Sequence, residues 1–208
     1  MSFIKRDSLI ITIIAYVGAI IGYVNKIFLF TNFLETDQVG LSNLLITIAT
    51  IYVQFASIGS PNIIYKFFPF FNDREKHHHG FLFGISAIAF AGFILSTLIA
   101  LLLKKPFQHF YSESSPLLVE YSFYIIPLAF ATLYYQIFDS YLRSLYKNIV
   151  PSFLYEIGLR LFVTISISVY ALGWIDFRQF VAIYVIANCL PTVLIILYTW
   201  LIGQMQFK

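Results

Sequence analysis

The chain has 208 residues, 60% of them hydrophobic and 11% charged. Charged residues normally supply about a quarter of a soluble domain, so water is excluded as the main solvent, and at about 20 residues per span the length holds roughly six transmembrane helices. The formal charge of +3 says little by itself, and the single cysteine, Cys189, excludes an internal disulfide; in apolar surroundings it reads as a small hydrophobe.

The first span is expected over residues 8–33, with Lys5 and Arg6 before it and Glu35 and Asp37 after it. Its apolar run is too long for a signal peptide. At helical spacing Ser8, Thr12, Ala15, Ala19, Gly22 and Lys26 form one stripe, and isoleucines cover most of the rest. The small and polar side should face protein or a cavity, and the isoleucine side lipid.

The second span is expected over 41–66, with Asn43, Thr47, Thr50, Gln54, Ser57 and Pro61 on one line. Such a line should not face hydrocarbon, where an unpaired polar group costs up to several kcal/mol. It fits a hydrogen-bonded helix contact or a wet, substrate-lining face, with Thr50 and Gln54 as binding candidates. Gly59 and Pro61 should bend or end this helix. Lys66, Arg74 and Lys76 then mark a cytoplasmic hairpin by the positive-inside rule.

The third span, 81–103, is almost wholly apolar and ends at Lys104 and Lys105 before a polar loop that includes Glu113. In the fourth, 117–144, Pro127 should introduce a kink, and Thr132, Gln136, Asp139 and Arg143 form a late polar stripe. Asp139 and Arg143 stand four apart with the acid first, the favourable order for a helical ion pair. The fifth span, 151–173, opens on Pro151 and repeats the device with Glu156 and Arg160, followed by Thr164 and Ser168. The sixth, 180–201, contains Asn188 and a second expected kink at Pro191. Six helices with both termini cytoplasmic place eight basic residues inside (Lys5, Arg6, Lys66, Arg74, Lys76, Arg143, Lys147, Lys208) against three outside (Lys104, Lys105, Arg178). The whole chain, 1–208, reads as one transmembrane unit.

Lys26 stands out among the intramembrane charges. It either snorkels to the outer headgroups or lines a substrate route, and its place on the small, polar stripe favours the route. The pairs Asp139/Arg143 and Glu156/Arg160 sit toward the cytoplasmic ends of consecutive helices and could form a four-charge cluster, either a structural lock or a gate. His77, His78 and His79 lack partners at metal-ligand spacing and read as a solvated interfacial loop. With no Walker-type loop, metal-binding pattern or nucleophile elbow, no enzyme activity, cofactor, metal or nucleic-acid partner is expected.

Several local words go further. Gln54-Phe55-Ala56-Ser57, Gly59-Ser60-Pro61-Asn62, Phe68-Pro69-Phe70 and His78-His79-Gly80-Phe81 come in the order of a second-to-third helix hairpin. With Tyr141 to Lys147 (YLRSLYK) and Glu156 to Arg160 (EIGLR), the chain resembles bacterial oligosaccharide flippases of the multidrug/oligosaccharidyl-lipid/polysaccharide exporter superfamily. The resemblance implies an all-α lobe of six transmembrane helices in the bacterial cytoplasmic membrane, working by alternating access on a lipid-linked oligosaccharide of the undecaprenyl-pyrophosphate type. It implies that Lys26 contributes to a cationic cavity receiving the pyrophosphate. The family is two-lobed, so a second six-helix lobe or a second copy is the expected complement. A small-molecule exporter of the same superfamily would carry mid-depth acids for ion coupling, and a non-transporting scaffold would need no polar stripes.

Overall fold

A computed structural model describes residues 3–71, 73, 80–112 and 114–203. The readings placed on Arg74, Lys76, His77, His78, His79, Glu113 and Lys208 lie outside the described residues. The described residues contain helices and turns and no strand. Six helices are long and apolar enough to cross a membrane: Lys5–Phe33, Thr36–Ala56, Phe81–Leu102, Pro116–Ser144, Ile149–Ala171 and Phe177–Leu201. The chain is an all-α multi-pass membrane protein.

Local chemistry sets several helix ends. At the sixth span Asp176 accepts the Gln179 N–H at 2.7 Å, and Gln179 returns a carbonyl oxygen to the Asp176 N–H at 3.0 Å. This reciprocal cap satisfies two donors that the first helical turn leaves open. In the fourth span a 3-10 turn at Ser122–Tyr124 precedes the helix Ile125–Ser144. Pro127 explains it, because its missing N–H and its ring disturb the carbonyl one turn earlier. Helix Phe177–Leu201, by contrast, runs unbroken through Pro191. The loop expected after Lys104 is in part a short helix, Lys104–Tyr111, which packs Phe107 and Tyr111 onto the core.

The fourth span is the centre of the bundle. It packs on the second, third and sixth, the fifth packs on the sixth, and the first packs chiefly on the fifth. Leu45, Val53, Ile64, Leu118, Leu133, Ile137, Ile167 and Phe180 are fully buried within it. The first span is the least buried, with 11% of its apolar window inside the protein against 44% for the sixth. It is therefore an edge element, held by one neighbour along most of its length.

The second span departs most from the expected 41–66. Helix Thr36–Ala56 ends in a turn at which Ile58 (φ 48°) and Gly59 (φ 72°) are both left-handed, and a new helix runs Ser60–Phe71. The break is closed from within. Ser57 O accepts from the Ser60 N–H at 2.9 Å and also from the Ser60 hydroxyl, while the Gly59 N–H reaches Ser57 Oγ at 3.4 Å. Pro61 then falls in the first turn of the new helix, where its missing N–H costs little.

The contacts fix where this break lies. Tyr52 meets Phe93 and Thr97, Ala56 and Ile58 lie against Gly92, and Phe68 and Phe71 meet Phe81. The two segments thus run together antiparallel to Phe81–Leu102, and the break faces Gly92, half-way along that 22-residue helix. A Cβ on Gly92 would stand 2.3 Å from the Ala56 carbonyl oxygen, which is backbone and cannot rotate away. Gly92→Leu is expected to cost about 1–3 kcal/mol through overpacking. Gly84→Ala, with nothing within 4 Å of the added carbon, should cost nothing measurable. Thermal unfolding of the two variants in detergent separates them; equal melting temperatures would show that the backbones do not approach at Gly92.

Candidate functional site

The first and fifth spans meet along a seam of small and polar residues, and both change helix type there. Val24–Phe30 and Leu154–Gly158 are π-helical, an arrangement found mostly as short bulges within α-helices and frequently at functional sites. The buried line of the first span runs Ile14, Gly18, Asn25, Phe30 and Leu34. Its step of five from Asn25 to Phe30 matches the π turn, which rotates the following residues back onto the bundle. Gly158 to Val163 repeats that step in the fifth span.

Gly18 lets the two backbones touch: a Cβ there would be 2.2 Å from Arg160 Nη1 and 2.4 Å from the Glu156 carbonyl oxygen. Gly22 continues the notch, with Arg160 Nε 2.9 Å from its would-be Cβ. The Arg160 guanidinium lies in this notch, bonded through Nη1 to Glu156 Oε2 at 2.7 Å and to the Glu156 carbonyl at 2.8 Å. One turn on, Asn25, 3% exposed, donates to the Arg160 carbonyl at 2.9 Å. The Thr164 hydroxyl stands 2.8 Å from both Asn25 Oδ1 and the Arg160 carbonyl and can donate to either. Asn25 was not among the residues singled out from sequence. Its signal was a lone amide on the Gly18 and Gly22 line, seven residues after the first and three after the second.

Arg160 is the middle residue of the helix Ile149–Ala171 and Glu156 stands about one turn before it. Asp139 and Arg143 do lie at the end of their span. Arg143 Nε bonds Asp139 Oδ1 at 2.7 Å, and Nη2 reaches the Ser152 hydroxyl of the fifth span at 3.4 Å. Tyr135 donates to the Pro151 carbonyl at 2.6 Å and packs on Tyr155. Among the described residues no ion pair joins the two charge pairs, so the expected four-charge cluster is not formed. The link between fourth and fifth spans runs instead through Ser152, Pro151 and Tyr135.

The other candidates turn outward. Lys26 is exposed one turn beyond Gly22, next to buried Asn25. Thr50 and Gln54 are exposed, with Asn43 and Thr47, opposite the buried Leu41, Leu45, Ala49 and Val53; the Thr50 hydroxyl returns to its own helix at Ile46 O, 2.8 Å away. The structure does not bring Lys26, Thr50, Gln54 and Arg143 into contact with one another. Ser57 is buried and Pro61 half-buried, so the expected polar line does not continue through them. In comparison with known proteins, no family model, no curated protein and no solved structure matches the chain.

The seam makes a quantitative expectation possible. Removing one partner leaves a bare charge, at a cost below the about 3–5 kcal/mol of a fully buried pair because this one is half-buried, whereas removing both leaves none. Arg160→Leu should therefore destabilise the protein more than the double change Glu156→Leu with Arg160→Leu. Unfolding free energies of the two singles and the double close this cycle, and additive effects would mean the two charges do not interact.

Proposed function

We propose that this chain is a six-helix lobe of a flippase that moves a lipid-linked oligosaccharide across the bacterial cytoplasmic membrane by alternating access. Both termini are cytoplasmic, the lipid carrier is of the undecaprenyl-pyrophosphate type, and a second six-helix lobe or a second copy of the chain closes the cavity. The observation that carries the reading is the exposure of Lys26. The seam with the fifth span takes the adjoining side of the first span, leaving a cation about two turns, ~10 Å, from the middle of Lys5–Phe33 on an exposed face shared with Ser8, Thr12, Ala15 and Ala19. A cation so placed costs free energy in hydrocarbon and is stabilised by an anion in a wet cavity. A diphosphate supplies that anion while its isoprenoid tail stays in the bilayer. The order of the motifs around residues 54–81 agrees with the oligosaccharide flippases.

One observation favours a second reading, an ion-coupled exporter of small molecules. Glu156 stands one turn from the middle of its span, where a coupling acid would be needed. Its bond to Arg160 weighs against this, since the carboxylate is already engaged by a guanidinium on its own helix.

Vesicles containing the purified chain and an undecaprenyl-pyrophosphate-linked oligosaccharide test the proposal, with protection from an added lectin as the measure of flipping. Lys26→Leu should slow flipping about tenfold or more, equivalent to ~1.4 kcal/mol or more of lost stabilisation, and Lys26→Arg should restore it. Unchanged flipping in the leucine variant, or no flipping by the native chain, would contradict the proposal.

A further inference from the structure

The depth of the break in the second span gives meaning to the residues around it. Against Phe81–Leu102, Gln54 falls a few residues to one side of the Gly92 level and Asn62 a few residues to the other, each within roughly 7 Å of half depth at ~1.5 Å per residue. Both are exposed. On helix Ser60–Phe71 the buried side is Ser60, Ile64 and Phe68, and Asn62 lies opposite it. The break therefore hands the outward polar line from Gln54 to Asn62 in place of Ser57 and Pro61. The line Asn43, Thr47, Thr50, Gln54, Asn62 carries three carboxamides and two hydroxyls, and no charge until Lys66 at its end near Phe81.

A threonine can hide its hydroxyl against its own helix, as Thr50 does. A carboxamide cannot do so completely, and two of them at the centre of a bilayer do not face acyl chains at equilibrium. The break is not itself the binding element, because Ser57 and Ser60 already satisfy its backbone. What remains is a neutral ladder of donors and acceptors, the chemistry that recognises hydroxyl groups rather than a phosphate or a metal ion.

We infer that the outward face of the second span lines a water-filled groove through half depth, and that it binds the uncharged, hydroxyl-rich sugar portion of the substrate. This rests on the transport reading above and deepens it: the cation of the first span holds the diphosphate, and the second span holds the sugar.

The sole cysteine makes the test direct. In the full-length chain with Cys189→Ala, single cysteines replace Gln54, Asn62 or Thr50, the last the gentlest change. Ile88 and Leu95, exposed at the same depth on the third span, are the lipid-facing controls. A membrane-impermeant methanethiosulfonate needs a hydrated thiolate, so the three ladder positions should react about tenfold faster or more than the controls. A short neutral glucan should slow that reaction, and inorganic pyrophosphate should not. Ladder rates equal to the controls, or spontaneous disulfide-linked dimers at these positions, would overturn the groove. Protection by pyrophosphate alone, or by neither compound, would overturn the sugar assignment. Because labelling is read without any flipping, a chain that labels but does not flip contradicts the transport reading and leaves the groove standing.

Discussion

Everything in this fold is arranged around the cost of a polar group far from water. Near half depth the fifth span carries both charges of Glu156 and Arg160, and the first span accommodates them only because Gly18 and Gly22 present no side chains there. The guanidinium is bonded at once to a carboxylate and a backbone carbonyl, and Asn25 and Thr164 close the remaining contacts across the seam. A larger residue at Gly18 would collide with the Glu156 carbonyl, which is backbone, as well as with the Arg160 guanidinium. That requirement fixes which side of the first span is inside, and so decides that Lys26 is outside.

A second consequence is mechanical. The first span has one main neighbour, and the bonds that cross the seam to it are those of Asn25 to the Arg160 carbonyl and of Thr164 to Asn25, beside the close approach at Gly18. The second span, by contrast, is locked at its break to Gly92 and by Phe68 to Tyr141 and Phe81. The edge helix is thus the element able to shift with least loss of packing, and the fourth span the one least able to.

The six apolar helices were legible in the sequence because hydrophobicity reports a span directly, and helical spacing put Thr50 and Gln54 on one face without saying whether that face met another helix or stayed open. The end of the second helix near Gly59 was legible too, through Gly and Pro. The consequence was not: two left-handed residues rotate the following helix, so Asn62 rather than Ser57 and Pro61 continues the polar line. The π turns were also hidden, since a step of five between Asn25 and Phe30 breaks the spacing by which a face is read. Asp139, Arg143, Glu156 and Arg160 were correctly paired by their spacing of four. Their separation from one another depended on the relative depth of two helices, which tertiary packing sets.

Oxidative cross-linking tests the orientation of the first span most directly. In a chain with Cys189→Ala, the pair Asn25→Cys with Thr164→Cys should form a disulfide rapidly under mild oxidation, because the native side chains touch at 2.8 Å. The pair Lys26→Cys with Thr164→Cys should not. If the Lys26 pair cross-linked as fast as the Asn25 pair, Lys26 would belong to the seam, and the orientation given to the first span would be wrong.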